Sequence, residues 1–232
     1  MTLLSLTDVH TYYGESHILE GVSLEIEAGE VVALVGRNGV GKTTTIRTIL
    51  QLTPPREGTV RFKDEEIAGE ETHEVARRGI GWIPEDRRIF TQLNVEENLR
   101  VAVPDRDALR PALEMAYDAF PILEERRDQR AGTLSGGQQQ MLSLARGLVG
   151  ENELLLVDEP SEGLAPQVVA TVAESLAEAA TDTSMLVVEQ NLPLALDLAD
   201  RFYVLDNGLI VDEGSTDEVS ADSERLRRYL SA

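Results

Sequence analysis

Cysteine is absent from the 232 residues, which excludes a disulfide scaffold, a thiol nucleophile and a cysteine metal site. Aromatic residues are scarce: four Phe, five Tyr and one Trp leave Val, Leu, Ile and Ala to build the core. No apolar run approaches the ~18 residues that a membrane span needs. The opening Met1-Thr2-Leu3-Leu4 has no basic stretch and soon reaches Asp8, which argues against a secretory signal. Lysine is nearly missing. Only Lys42 and Lys63 occur among 21 basic residues, and 42 acidic residues set the net charge at −21. Such a charge argues against nucleic acid as a partner, because a phosphate backbone wants a basic surface. The acidic, lysine-poor composition instead predicts adaptation to a very salty cytoplasm, where salt screens the self-repulsion.

What is present suits one large domain, or two small subdomains sharing a core. Leu4 and Leu6, then Val22, Leu24 and Ile26, alternate as half-buried antiparallel strands do, and Ala28-Gly29 reads as a turn. Val31–Val35, Leu154–Val157 and Met185–Val188 are unbroken apolar runs, as in strands covered on both faces. Val60 with Phe62, and Gly79 to Pro84, predict further short strands. A helix is expected from Lys42 to about Leu52, ended by Pro54-Pro55. Between about Gln92 and Gly150 the pattern turns helical, with Pro104, Pro111 and Pro121 as breaks. Asn207-Gly208 between apolar runs predicts a two-residue hairpin, and Ser223 to Ala232 a short polar helix. Buried strands alternating with helices indicate an α/β core, with the helical stretch as an insertion.

Gly36-Arg37-Asn38-Gly39-Val40-Gly41-Lys42-Thr43 fits the phosphate-loop pattern and sits between a buried strand and a helix, the context that pattern requires. Glycines let successive N–H groups face one anion, and the helix start adds the positive end of its dipole. Lys42 supplies a compact charge for the β and γ phosphates. The Thr43 hydroxyl can ligate Mg²⁺, and Thr44 is placed for a further phosphate contact. Leu154-Leu155-Leu156-Val157-Asp158-Glu159 has the form of a strand ending in Mg²⁺-binding and water-orienting carboxylates, Asp158 and Glu159 respectively. Read alone, the same two carboxylates could cap the next helix.

Leu134-Ser135-Gly136-Gly137-Gln138, with Ser135 placed 23 residues before Asp158, resembles the signature motif of ABC-type ATPases, and the likeness covers essentially the whole chain. Ser135 reads as a helix N-cap, with Gly136 and Gly137 leaving the helix end bare for a phosphate. The resemblance implies a P-loop ABC ATPase domain: a RecA-like core and antiparallel β subdomain over about 1–90 and 151–232, and a helical subdomain over about 91–150. It also implies ATP and Mg²⁺ as ligands, and two such domains head to tail, so that a lone chain lacks a complete site. Tyr13, 23 residues before Gly36, resembles the aromatic that stacks on adenine, with Tyr12 as the rival.

Three positions depart from the general family pattern. Glu85 stands in place of a glutamine that contacts Mg²⁺ and the attacking water, and can itself ligate the metal. Ala165 replaces a loop aspartate. Gln190 replaces a switch histidine; the histidines are His10, His17 and His73, all upstream of Asp158. Gln190 can donate a hydrogen bond to a γ-phosphate but carries no charge.

Pro-Glu-x-Arg-x-x-Phe (84–90), Leu-x-Val-Glu-Glu-Asn-Leu (93–99), Gly-Leu-Ala-Pro (163–166) and Val-Glu-Gln-Asn (188–191) resemble the second ATPase subunit of branched-chain amino acid importers. Tyr13–Leu19 and the phosphate loop also resemble urea and short-chain amide importers. The resemblance implies membrane permease subunits as partners, a second, non-identical ATPase subunit (a homodimer stays open), and indirectly a solute-binding protein. It places the chain peripherally on the cytoplasmic face of the membrane. The segment Glu85–Phe90 is the candidate docking surface, although Arg87, Arg88 and Phe90 could be plain surface and core residues. Export, a soluble non-transport ATPase and a purely regulatory nucleotide-binding module are the alternatives.

The salt reading has a direct test. Thermal unfolding from low to molar KCl should show the melting temperature rising with salt; no gain would contradict the adaptation.

Overall fold

Residues 1–103, 105–220 and 223–230 are described by a computed structural model. Its strands are β1 (Thr2–Tyr13), β2 (Ser16–Glu27), β3 (Val31–Val35), β4 (Glu57–Phe62), β5 (Glu65–Glu66), β6 (Ile80–Ile83), β7 (Leu154–Asp158), β8 (Ser184–Glu189), β9 (Arg201–Asp206) and β10 (Leu209–Ser215). Its helices are α1 (Lys42–Ile49), α2 (Thr72–Arg77), α3 (Val95–Ala102), α4 (Leu109–Ala119), α5 (Pro121–Glu125), α6 (Gly136–Leu148), α7 (Pro166–Ala179), α8 (Leu192–Leu198) and α9 (Glu224–Leu230).

Two sheets form. One is antiparallel, in the order β2-β1-β4-β5; the other runs β10-β9-β3-β8-β7-β6 and is parallel except for β10. The three apolar runs are the three central neighbours β3, β8 and β7. Each sends alternate residues to opposite faces, as the period of two demands. Val31, Ala33 and Val35 join a core with Leu155, Val157, Met185, Val187 and the helices α3–α8. Val32 and Leu34 join a second core with Leu154, Leu156, Leu186, Val188 and the antiparallel sheet. Burial on both faces explains why these segments read as unbroken apolar runs. Helices α3 to α6 all lie in the crossover between the paired parallel strands β6 and β7.

The structure corrects several local expectations. β1 and β2 are each 12 residues long, more than their alternation suggests. The register shifts between Leu6 and Val9, where Asp8 takes a left-handed φ of 49°, and that bulge interrupts the pattern. Helix α1 stops at Ile49, not near Leu52, and Pro54-Pro55 is not its terminator. Gln51 adopts φ 57°, its N–H donates to Thr48 O, and Leu52 N–H reaches Arg47 O at 2.9 Å. This pair of bonds is a Schellman closure, with Gln where Gly is usual. Gln51 compensates through its side chain, which accepts from Gly69 N and donates to Thr48 O. Pro111 does not break a helix; it occupies the first turn of α4, where its missing N–H costs nothing. Pro121 opens α5, Pro104 lies outside the described residues, and so do the last two positions of the expected C-terminal helix.

The hairpin forms at Asn207-Gly208, with φ 47° and 78° and Leu209 paired to Asp206. Its backbone also ties distant parts together: Gly208 N–H donates to Val40 O and Glu20 N–H to Gly208 O. A side chain at 208 would meet Ile18 O at 2.3 Å. Gly208→Ala should therefore cost about 1–3 kcal/mol in urea unfolding. Unchanged stability would show that the turn relaxes freely.

Candidate functional site

The ladder β3-β8-β7 places three loops at one sheet edge. Val35 is paired with Glu189 and Asp158 with Val188, so the segments after β3, β7 and β8 emerge side by side. Between this edge and the end of β1 lies an open cavity of about 430 Å³, lined by Tyr13, Ile18, Asn38, Gly39, Gly41, Lys42, Thr43, Thr44, Glu85, Glu159 and Glu162.

The phosphate loop begins at Gly36, directly after β3. It ends at Gly41, whose φ of 116° is the positive-φ step that turns the chain into α1 without a side-chain cap. Lys42 is buried, and three acceptors surround its ammonium: Gly36 O at 2.9 Å, Arg37 O at 3.0 Å and Glu159 Oε1 at 2.9 Å. Arg37 thus contributes its carbonyl, while its side chain is exposed. Val40 is buried, and its carbonyl accepts from the hairpin turn. The Thr43 hydroxyl donates to Asp158 Oδ1 at 3.2 Å. Glu159 sits at φ 46°, a conformation rare for a side-chain-bearing residue, and its N–H is held by Val188 O at 2.9 Å.

One ammonium therefore faces several carboxyls. Burial, then repulsion from Glu159, outweighs the Thr43 hydrogen bond and pushes Asp158 up to about 6. Glu85, although its side chain is exposed, is pushed up to about 7 by partial desolvation, then by the hydrogen bond its protonated form donates to Glu162 and by the charges of Glu162, Asp158 and Glu159. Such a site calls for cations. Its donors are oxygens, as Mg²⁺ prefers, and Thr43, Asp158 and Glu85 fit that ion. Among the described residues no three His, Asp or Glu side chains converge to hold a metal unaided, which suits an ion that also takes phosphate oxygens.

Tyr13 and Tyr12 are distinguished by their surroundings. The Tyr12 ring is stacked on His17, with centroids 4.1 Å apart, and the Arg56 guanidinium lies 4.3 Å from its centre. Tyr13 is 42% exposed and lines the cavity. Ser135 caps α6 in a capping box: its Oγ accepts from Gln138 N, and its own N–H donates to Gln138 Oε1. Ser135 and Gly136 are exposed, and neither they, Gly137 nor Gln138 line this cavity. Gln190 is exposed just past β8 and does not line it either. Sequence reasoning assigned no role to Glu162 or Ile18. A signal for Glu162 existed: it closes the turn in which its N–H donates to Glu159 O at 3.2 Å, three residues from a carboxylate already singled out.

Comparison with known proteins identifies the family. The family model for ABC transporters matches residues 19–162. The chain is 42% identical over 212 residues to the high-affinity branched-chain amino acid transport ATP-binding protein of Pseudomonas aeruginosa, covering 90% of this chain and 91% of that one. It is 34% identical to the probable branched-chain amino acid transport ATP-binding protein of Archaeoglobus fulgidus, covering 94% of each. It is 32% identical to the lipopolysaccharide export system ATP-binding protein of Escherichia coli strain K12, covering 99% and 98%. A solved structure of the ATP-binding subunit of an ABC transporter superposes with a TM-score of 0.83 at 30% identity, covering 93% of this chain and 91% of that one.

The raised carboxyls set a pH dependence. Between about pH 4 and their native values, Asp158 and Glu85 keep protons that the unfolded chain has released. Their contribution to stability is therefore intact at low pH and lost as pH rises towards 7. In metal-free buffer at pH 8, Asp158→Asn should raise the melting temperature by about 2–5 °C, and Glu85→Gln, at a solvent-screened position, by less. The gain should vanish near pH 4; a difference constant across that range would contradict the electrostatic account.

Proposed function

This chain belongs to the ABC transporter family as an ATP-binding, ATP-hydrolysing subunit, and from that premise we propose that it powers the import of branched-chain amino acids. The observation that carries the reading is the cavity in which Lys42, Thr43, Glu159 and an exposed Tyr13 meet, in a chain 42% identical to a branched-chain amino acid transport ATPase.

The residues suggest how the chemistry runs. Tyr13 offers a ring face to adenine. The loop Gly36–Thr43 takes the phosphates, with Asn38, Gly39, Gly41 and Thr44 along the cavity wall. Mg²⁺, when bound, would neutralise phosphate charge, and Thr43, Asp158 and Glu85 would hold it. Phosphate oxygens compete with Glu159 for the Lys42 ammonium, so binding of ATP frees the Glu159 carboxylate. Glu159 then orients water and takes its proton as the water oxygen bonds to the γ-phosphorus and ADP leaves. Gln190 adds a neutral hydrogen bond.

Ser135, Gly136, Gly137 and Gln138 serve the nucleotide of a second ATPase subunit, which explains their distance from this chain's own cavity. That subunit is a non-identical one carrying the histidine that Gln190 replaces. Membrane permease subunits dock on Glu85–Phe90. Phe90 is 45% exposed while its backbone is held at both ends by buried Asn98, through Phe90 N to Oδ1 at 2.8 Å and Nδ2 to Phe90 O at 3.0 Å. Among the described residues no helix is long and apolar enough to cross a membrane, in keeping with a peripheral place on the cytoplasmic face. The lysine-poor, acidic composition supports a salt-rich cytoplasm.

The test is uptake of labelled leucine, urea and acetamide in cells with and without the chain, and with Glu159→Gln. Leucine uptake should fall to background in both altered strains. Loss of urea or acetamide uptake instead assigns the sister importers. No change in any solute overturns import and favours export, the reading supported by the lipopolysaccharide-system relative.

A further inference from the structure

Glu189 is the last residue of β8, 1% exposed, and none of the chemistry above uses it. Among the described residues no lysine or arginine pairs with it. Its stabilisation comes from three backbone donors and from the Ser161 side chain. Oε1 accepts from Ser161 N at 3.0 Å; Oε2 accepts from Gln190 N at 3.1 Å and Asn191 N at 3.0 Å. A buried carboxylate is costly unless its lone pairs are used, and charge-assisted bonds to N–H groups are the strong kind. Burial nevertheless leaves its pKa above the ordinary value.

The two loops joined by this carboxylate are the two that flank the reaction. Ser161 lies two residues past Glu159, and Gln190 is the position that replaces the histidine. Glu159 is itself tied to β8 through Val188 O. Its unusual φ of 46° is therefore bracketed by bonds to adjacent residues of one strand, at its own N–H and again at Ser161 N–H. Backbone strain of this kind persists only where the surroundings over-determine it.

We propose that Glu189 is a positioning residue for ATP hydrolysis, a single carboxylate that holds the Glu159–Ser161 turn and the Gln190–Asn191 turn in one fixed relation. This rests on the reading of Glu159 as the water-orienting group. The division of labour between the two oxygens makes the proposal specific. Glu189→Gln keeps the volume but replaces one acceptor with an NH₂ donor, which meets N–H donors. The amide can then hold one turn or the other, not both. Lys42, Thr43 and Tyr13 are untouched, so ATP binding should be spared.

The experiment uses the transporter complex co-purified from native membranes through the tagged full-length chain. Steady-state ATP hydrolysis is compared for wild type, Glu189→Gln and Glu159→Gln, with amide hydrogen exchange on the wild-type chain. The expected result for Glu189→Gln is a kcat lowered about tenfold to hundredfold, with KM for ATP within about twofold. An unchanged kcat for Glu189→Gln beside an inactive Glu159→Gln overturns the proposal and leaves the wider reading intact. Wild-type turnover in Glu159→Gln overturns the wider reading instead. A parallel loss in kcat and ATP affinity makes Glu189 a general structural residue and also overturns the proposal. If Glu189→Gln does not fold, the wild-type exchange decides. Strong protection of the Ser161, Gln190 and Asn191 amides supports the clamp, and exchange as fast as in exposed loops overturns it.

Discussion

Burial on both faces of the ladder β3-β8-β7 is the constraint from which the site follows. A parallel strand covered on both sides cannot slip by one residue without exchanging its two cores, Val31, Ala33 and Val35 on one side and Val32 and Leu34 on the other. Register is thereby locked, and with it the relative height of the three loops that leave the same edge. Asp158 opposite Val188, and Glu189 opposite Val35, are consequences of apolar packing deep in the sheet. The approach of Lys42 to 2.9 Å from Glu159, 117 positions away in sequence, is placed by that register.

Electrostatics then works against the fold at this edge. Lys42 is the single buried lysine, and Glu85, Asp158, Glu159 and Glu162 crowd the same space. Two of these carboxyls are held well above their ordinary pKa, because desolvation and mutual repulsion leave the single ammonium outnumbered. The backbone absorbs further cost. Glu159 sits in the left-handed region and is held there by β8. Stability is sacrificed locally for a geometry that the two cores elsewhere can sustain.

The helical segment between β6 and β7 serves a different purpose. Its longest helix, α6, presents a bare, capped N-terminus away from the cavity, while Arg87 O and Arg88 O are bonded to Ser143 and Arg146 of that same helix. The loop that carries Glu85 is thus fastened to the helix that carries Ser135.

The sequence by itself determined the fold class, the phosphate loop, the carboxylates ending β7 and the signature motif. The α/β class and the phosphate loop are local chemistry, an apolar run or a glycine pattern complete within about ten residues, while the signature motif and the roles of the two carboxylates were legible through the family resemblance. It determined too that no histidine could stand at position 190. Only the tertiary structure decided which tyrosine faces the cavity, because Tyr12 and Tyr13 differ in their distant neighbours and not in their type. Only it ended α1 at Ile49, closed by a left-handed Gln51 whose side-chain bonds to Gly69 and Thr48 outweigh the propensity against that conformation. Glu162 in the cavity wall and Glu189 between two loops were likewise invisible in the pattern. Their roles depend on contacts between segments about 28 or more residues apart, for Ser161 with Glu189 and Glu85 with Glu162, and such contacts exist only once packing has set the register of the sheet.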